Sequence, residues 1–230
     1  PDLELPELWH RLRKKGYSRR IESLYRVMKK LGMLPQKPEK EKRIVKPYEQ
    51  MTFAGERIQV DVKVVPKKCI VDKEMKLYQY TAIDEYTRIR FLYGYEEQST
   101  YSSADFARRL TAWYKRRGIT VKCIQTDNGF EFTNRFSPSK KDKKTMFEKT
   151  LAELGIKHKL IRPYTPRHNG KVERSHREDH NKFYSCHSFY SCDDLNAQLT
   201  VRLNQTNNRP MRPLNWLSPI EFLKNSVQYD

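Results

Sequence analysis

Residues 57–65 read RIQVDVKVV, and this stretch determines how the rest of the chain is interpreted. Its apolar residues alternate with polar ones, which predicts a β-strand with one apolar face. The apolar positions are Ile58, Val60, Val62 and Val64. Asp61 lies in the middle of the predicted strand on the opposite face. Its position, more than its charge, makes it a candidate functional residue.

The segments after this strand predict an α/β layer fold with a mixed sheet. Four more strands are predicted, at LYQYTAI (77–83), RIRFLYGY (88–95), VKCIQT (121–126) and KHKLIR (157–162). Helices are predicted over residues 102–117, 145–154, 169–184 and 193–204. The polar residues DEYT (84–87) join the second and third strands, and Asp84 and Glu85 are interpreted there as turn residues.

The first 34 residues have a different pattern, typical of two short helices. The predicted helices cover residues 6–15 and 18–32, with Ser18 as a cap and Gly16 and Gly32 as terminators. Ile21, Leu24, Tyr25, Met28 and Leu31 are predicted to form the apolar face of the second helix. Arg19, Arg20 and Arg26 lie on its other side and are candidate DNA contacts. A helix-turn-helix unit and a plain helical hairpin both fit this pattern.

The predicted domain organisation follows from these differences in sequence pattern. Residues 1–34 are predicted to be a helix-turn-helix-like segment, and residues 35–55, which are rich in Pro and charge near their start, a linker. Residues 56–230 are predicted to form a catalytic core with a helical tail. Because residue 1 is Pro and no targeting signal precedes the first helix, the chain is interpreted as part of a longer protein.

The composition favours a polyanionic partner. Lys and Arg number 46 against 28 Asp and Glu, a formal net charge of +18 that points first to nucleic acid. No apolar run reaches membrane-spanning length, so a membrane partner is not expected. The four cysteines form no CxxC pair, and their spacing to nearby histidines matches no closed zinc site. They are interpreted as reduced thiols of a cytoplasmic or nucleoid-associated protein.

Two further acids stand out by position. Asp127 ends a predicted strand and is followed by Asn128 and Gly129, while Glu173 lies in the first turns of a predicted helix. Strand ends and an adjoining helix can bring these acids to one place with Asp61. Clustered carboxylates repel each other unless cations neutralise them, and Mg²⁺ or Mn²⁺ suits oxygen ligands. Two such ions about 4 Å apart can promote phosphoryl displacement.

The residues around these acids resemble a known family. The segments are IQVDVK (58–63), IQTDNGFEFTN (124–134), YTPRHNGKVERSHRE (164–178) and NQTNNRPMRPLNWLSPIEFL (204–223). In this order they resemble the catalytic core of the retroviral-integrase-like DDE superfamily, most closely bacterial insertion-sequence transposases. The resemblance covers residues 57–223. Forty-five residues separate Asp127 from Glu173, more than the roughly 35 of the superfamily's D,D-35-E signature, and a basic loop at 137–144 accounts for the excess.

The resemblance implies a ribonuclease-H-like fold with a five-stranded mixed sheet flanked by helices. It also implies that Asp61, Asp127 and Glu173 are catalytic acids that hold Mg²⁺ or Mn²⁺, with two ions expected. The implied reaction is cleavage of DNA at mobile-element ends and transfer of the exposed 3′-OH to target DNA, by a homo-oligomer on DNA. A catalytically inactive DNA-binding derivative and a plain nuclease of this fold are the alternatives.

Residues near Glu173 are open to two interpretations each. Lys171, Arg174 and Arg177 suit phosphate binding, although Arg177 at i,i+4 could pair with Glu173 instead. His168 is interpreted either as a substrate contact or as a loop residue. Asn169 is predicted to cap the helix. Glu131 is predicted to be a surface or supporting acid, and Gly129 to serve the geometry of the turn.

Overall fold

The computed structural model describes residues 5–34, 49–140, 143–163 and 166–227, with the side chains of 166, 167 and 227 outside that description. The chain divides into two compact units, residues 1–48 and 49–230. Most of the predicted linker, residues 35–48, lies outside the described residues. Nowhere in the described ranges is a helix both long and apolar enough to span a membrane.

The first unit contains helices α1 (Leu5–Lys14) and α2 (Ile21–Lys30). Gly16 and Gly32 follow the helices with φ of +97° and +68°, left-handed conformations that glycine adopts without strain. The prediction that Ser18 caps α2 is wrong, because the N-cap residue is Arg20 and no side chain caps this helix end. The indole of Trp9 instead donates to the Arg19 carbonyl and ties the helices together.

The predicted apolar face of α2 is only partly buried. Leu24 is buried, whereas Tyr25 and Leu31 are exposed, so this face forms little core within the unit. Two helices of ten residues each cannot cover such a face. Arg19, Arg20 and Arg26 are exposed, as a DNA contact requires. Whether the unit is a helix-turn-helix or a plain hairpin stays a prediction.

The second unit is built on a five-stranded mixed sheet in the order β3-β2-β1-β4-β5. The strands are β1 (Ile58–Val64), β2 (Tyr78–Asp84), β3 (Arg90–Tyr95), β4 (Cys123–Thr126) and β5 (Lys157–Leu160). β1, β2 and β3 pair antiparallel, while β1, β4 and β5 pair parallel. The predicted mixed sheet is confirmed.

Five helices accompany the sheet. They are α3 (Thr100–Lys115), α4 (Met146–Glu153), α5 (Gly170–Lys182), α6 (Cys192–Asn207) and α7 (Pro219–Val227). Side chains of Ser99, Thr145 and Ser191 cap α3, α4 and α6, and Thr145 forms a reciprocal capping box with Glu148. These caps fix where the helices begin and therefore how the intervening loops leave the sheet.

The hydrophobic core joins the sheet to α3, α4 and α6. Ile58, Val60 and Ile124 are completely or almost completely buried in one cluster with Phe106 of α3 and Phe147 of α4, among other residues. Residues that alternate with these on β1 and β4 are polar and point to the other side of the sheet. That polar side is where α5 packs, and it carries the candidate site.

Candidate active site

Asp61 and Asp127 are brought together by the register of two parallel strands. β1 and β4 pair Ile58 with Ile124 and Gln59 with Gln125. Asp61 lies two residues after Gln59 and Asp127 two residues after Gln125, so the two acids follow the paired glutamines at the same step along neighbouring strands. β4 ends at Thr126, so Asp127 is the first residue beyond it. Both acids therefore lie at the same edge and on the same side of the sheet.

The turn after Asp127 is held by short-range contacts. The Gly129 N–H donates to Asp127 Oδ1 at 3.0 Å, and Asn128 Nδ2 donates to the Ile161 carbonyl at 3.1 Å. A Cβ on Gly129 would lie 2.5 Å from the Glu131 carboxylate. That carboxylate is the far end of a flexible side chain that can shift, and Gly129 has no positive φ, so its geometric role in the turn stays a prediction.

Glu173 is positioned by α5, and α5 is positioned by strand side chains. Gln59 Oε1 accepts from the Lys171 and Val172 N–H groups at 3.1 and 3.2 Å, which satisfies two open donors of the helix start. Gln59 Nε2 and Gln125 Nε2 both donate to the His168 carbonyl, at 3.0 and 2.7 Å. Sequence reasoning missed both glutamines. The available signal was that Gln59 shares the strand face of Asp61.

The prediction that Asn169 caps α5 is wrong. Asn169 occupies the N-cap position, but its side chain makes no capping bond and its Nδ2 donates to the Val60 carbonyl at 3.3 Å. The Gln59 amide has taken over the capping role. Asn169 serves instead to attach the start of the helix to β1.

Three acidic side chains lie close enough to Asp61 to act on its charge. Burial, together with the charges of Asp127, Glu173 and Glu131, raises the pKa of Asp61 to about 7, against a hydrogen bond from the Val62 N–H that lowers it. A carboxylate with three acidic neighbours and little water is costly to ionise. The repulsion between Asp61 and its acidic neighbours acts at the edge of the sheet, and a bound cation there would relieve it.

The donor set fits a hard divalent cation in its chemistry. Carboxylate oxygens are the protein ligands that Mg²⁺ and Mn²⁺ prefer, and the mutual repulsion at Asp61 is of the kind that such a cation offsets. Within the described ranges, no three His, Cys, Asp or Glu side chains are grouped closely enough to hold a metal. The acids are thus near enough to perturb one another, but their side chains are not drawn together around a common point.

His176 contacts Asp61 and was missed by sequence reasoning. Its Nδ1 lies 3.4 Å from Asp61 Oδ2. Burial, followed by the charge of Arg90, lowers the pKa of His176 to about 3, so the contact joins a neutral imidazole to a carboxyl group and is not an ion pair. His176 is three residues after Glu173 on α5, but His176 is buried whereas Glu173 is exposed.

A buried ionic cluster anchors the C-terminal part of α5. Asp179 accepts from the guanidinium groups of Arg90 and Arg202 and from Gln79, and all four residues are buried. Burial would raise the pKa of Asp179, but the two arginines and Gln79 lower it overall. The cluster links α5 to β2, β3 and α6, and it keeps the helix that carries Glu173 against the sheet.

The predicted DNA contacts near Glu173 differ in exposure and in their partners. Arg174 and Arg177 are exposed, and in the described part of the chain Arg177 forms no ion pair with Glu173. Lys171 Nζ lies 2.8 Å from a carboxylate oxygen of buried Glu85. Glu85 also binds Arg57, and Asp84 accepts from Thr87 and Gly55. Glu85 therefore organises the turn through buried ionic contacts, and Asp84 does so through hydrogen bonds.

Comparison with known proteins decides the family. The Integrase core domain family matches residues 52–166, half of the chain, and a second family with the same description matches residues 154–219. The chain belongs to the integrase core domain family. This integrase core has the fold of DNA-cleaving polynucleotidyl transferases, and integrase cores generally use divalent metal ions.

Two curated relatives of this integrase core carry mobile-element names. One is named as integrase ORF3 of Spiroplasma virus SpV1-C74 and is 34% identical over 173 residues, which cover 73% of this chain and 47% of the relative. The other is named as the transposase of insertion sequence element IS5376 from Geobacillus stearothermophilus, 28% identical over 170 residues, covering 74% and 42%. The chain spans less than half the length of either relative.

Solved structures share the fold of the integrase core. The catalytic core domain of BIV integrase matches 76% of this chain and 99% of its own, with a TM-score of 0.50 and 19% identity. The simian T-cell lymphotropic virus intasome in complex with PP2A regulatory subunit B56 gamma matches 69% of this chain and 50% of that one, with a TM-score of 0.51 and 18% identity. The predicted ribonuclease-H-like fold and the predicted superfamily are confirmed.

Proposed function

We propose that this integrase core is a metal-dependent DNA strand transferase of a mobile element, with Asp61, Asp127 and Glu173 as its catalytic acids. The observation that carries the proposal is the raised pKa of Asp61 in a chain with the integrase core fold. The nearby charges of Asp127 and Glu173 contribute to that rise. Bound divalent cations, two by expectation, would stabilise charge on the attacking and leaving oxygens of an in-line displacement.

The residues of the chain have separate tasks in this reaction. Asp61, Asp127 and Glu173 supply the ligand oxygens for the cations. Gln59 and Gln125 fix the start of α5, and with it the backbone of Glu173, relative to the two strands. No protein nucleophile is required, because water and then the exposed DNA 3′-OH attack phosphorus.

DNA is the proposed substrate and the proposed scaffold for assembly. Exposed Arg174 and Arg177 beside Glu173 suit phosphate contacts, as do Arg19, Arg20 and Arg26 of the first unit. Lys171 is held by Glu85, so we assign it mainly to positioning α5. We propose that residues 1–34 contribute to recognition of element ends and that residues 56–230 perform the chemistry. Several copies of the chain would assemble on the DNA, in the cytoplasm or at the nucleoid.

The test compares two glutamate variants of the same chain. Glu173→Gln keeps size and helix propensity but removes a ligand charge, so it should abolish both nicking of supercoiled plasmid and joining of labelled oligonucleotides in Mg²⁺ or Mn²⁺. Glu131→Gln is the matched control and should retain substantial activity. DNA binding of both variants, followed by fluorescence anisotropy, should stay near that of the unmodified chain.

The outcomes separate the alternatives. An active Glu131→Gln with a dead Glu173→Gln supports the assignment, whereas the reverse pattern means that Glu131 is the third acid. Nicked plasmid without joined products would identify a plain nuclease of this fold. DNA binding with neither product would identify an inactive DNA-binding derivative.

A further inference from the structure

A basic cleft lies beside the candidate site, on the second unit. It has a volume of about 430 Å³, within the range of small-ligand sites. The first two turns of α5 form one wall, the turn between β2 and β3 another, and the segment 209–216 the third. Arg174 lines the cleft and follows Glu173 directly, so it projects about 100° around the helix from the candidate catalytic acid.

Cationic side chains line the cleft, and five of them fall into two groups. Arg90 is bound to Asp179, Arg209 to Glu178 and Lys171 to Glu85. Arg174 and Arg212 are exposed, and neither forms an ion pair or side-chain hydrogen bond with any residue in the described ranges. Two guanidinium groups at the rim therefore stay available for a phosphate, whose oxygens match the donor geometry of arginine.

Trp216 is held at the third wall with its side chain 69% exposed. Trp216 and its neighbour Asn215 both have left-handed backbone, with φ of +64° and +54°, which is costly for residues other than glycine. The loop is nevertheless closed tightly, because the Met211 N–H donates to the Leu217 carbonyl and the Trp216 N–H to the Met211 carbonyl, each at 3.0 Å. Buried Leu214 anchors it from below.

The consequence is a fixed backbone from which an exposed indole lines the cleft beside apolar residues. Pro210, Met211 and Pro213 line the cleft next to Trp216. No aromatic ring elsewhere in the described residues stacks on this indole. An exposed, unstacked aromatic face beside apolar residues, with arginines at the rim, combines the two features that single-stranded nucleic acid binding requires.

We propose that this cleft binds an unpaired nucleotide of the DNA substrate, with the base stacked on Trp216 and the adjoining phosphate held by Arg174 and Arg212. The inference rests on the proposed function, because it is Glu173 on the same turn of α5 that would bring a DNA strand past the cleft. Duplex DNA presents no free base face to an indole in a cleft, so the site discriminates frayed or overhanging ends from blunt ones.

The experiment measures binding without catalysis. The full chain is titrated, in EDTA, into a labelled duplex with a five-nucleotide 3′ overhang and into a blunt duplex of equal length, with fluorescence anisotropy as the readout. Trp216→Ala should weaken binding of the overhang duplex by about 5- to 100-fold, the range for loss of one stacked base, and leave the blunt duplex unchanged. Trp216→Phe should restore most of the preference, and Arg212→Gln should weaken overhang binding as well.

Tyr190→Ala is the matched control, because Tyr190 is 71% exposed and does not line the cleft. It should leave both affinities unchanged. Equal weakening of both duplexes in Trp216→Ala, or no weakening, would overturn the proposal. So would a change of oligomeric state in sedimentation with the overhang preference intact, since Trp216 would then be a protein contact.

The inference and the proposed function can fail separately. An overhang preference that depends on Trp216 supports the cleft even if no strand transfer is found with any DNA tested. Cleavage that depends on Glu173, without an overhang preference, leaves the proposed function standing and removes this inference.

Discussion

At the scale of single residues, Asp61 is repelled by nearby acids, and no cationic side chain is in contact with it among the described residues. The carboxyl is about one-fifth exposed and lies within the fields of Asp127, Glu173 and Glu131. Neutral His176 contacts it but contributes no compensating charge. Ionisation of Asp61 thus lowers the stability of the folded state, although the ionised form is the one that would bind a cation. Such a loss of stability is expected where a residue is retained for function.

Asp61→Asn should therefore stabilise the chain in the absence of metal. The folded-state pKa of about 7 exceeds the ordinary value of 3.8, so the native state binds the proton more tightly, and stability falls as pH rises through this window. We expect a gain of roughly 1–4 kcal/mol at pH 8 that vanishes near pH 4, measured by urea unfolding in EDTA. Exposed Glu74→Gln is the control, and an equal gain there would contradict the argument.

Binding of a divalent metal ion should also relieve the repulsion at Asp61 and so stabilise the folded state. Mg²⁺ or Mn²⁺ at millimolar concentration is expected to raise the melting temperature, because a ligand of the folded state alone stabilises it. Asp127→Asn should blunt this response by removing ligand charge. A melting curve that ignores both ions, recorded by differential scanning fluorimetry with and without duplex DNA, would count against the proposed metal site.

At the scale of elements, the site depends on how α5 is attached to the sheet. Its start is capped by Gln59, the preceding His168 carbonyl accepts from Gln125, and Asp179 anchors its C-terminal part. Asn169, the residue at the N-cap position, makes no side-chain capping bond. The position of Glu173 therefore depends on β1 and β4, the two strands that also carry or precede the other acids.

Gln59→Leu should loosen this attachment. The change leaves the Lys171 and Val172 N–H groups and the His168 carbonyl without the Gln59 amide, which should cost about 1–3 kcal/mol in the free energy of unfolding. DNA cleavage should fall more than DNA binding, since Glu173 loses its fixed position. Gln205→Leu, on an exposed position of α6, should change stability by no more than about 0.5 kcal/mol. Comparable losses in the two variants would argue against the capping role.

At the scale of the whole molecule, the positive charge extends over both units. The formal net charge is +18, and exposed arginines occur in the first unit and around Glu173 in the second. Charge of this kind supplies affinity for any DNA through release of counterions. Sequence preference, by contrast, has to come from contacts with bases, for which the proposal assigns the first unit.

The affinity for DNA should accordingly fall steeply with salt. A plot of log affinity against log salt should have a slope near −0.9 per neutralised phosphate, and replacing Arg19, Arg20 and Arg26 with Gln should make it shallower by about 0.9 for each phosphate that these arginines neutralise. The same triple variant should lose preference for element-end DNA over random DNA. Unchanged slope and preference, in competition binding at several salt concentrations, would mean that the first unit does not bind DNA.

The sequence by itself determined the strands and the family, and it singled out Asp61, Asp127 and Glu173 as the candidate acids. Alternation along 57–65 specifies which side chains share a face, because the side-chain period of a strand is two. Glycine ended both N-terminal helices as predicted, since its left-handed conformation is a local property. The chain-wide order of the acidic motifs then specified an integrase core, which the family match confirmed.

Only the tertiary structure decided which groups serve those acids. Gln59 displaced Asn169 as the cap of α5 through contacts 112 and 113 residues apart in sequence, and Lys171 is held by Glu85, 86 residues away. His176 reaches Asp61, and Trp216 joins the arginines of a cleft, only when distant elements pack. Local pattern fixes the direction of a side chain relative to its own backbone, whereas its partner depends on the register and packing of other elements, which no local pattern encodes.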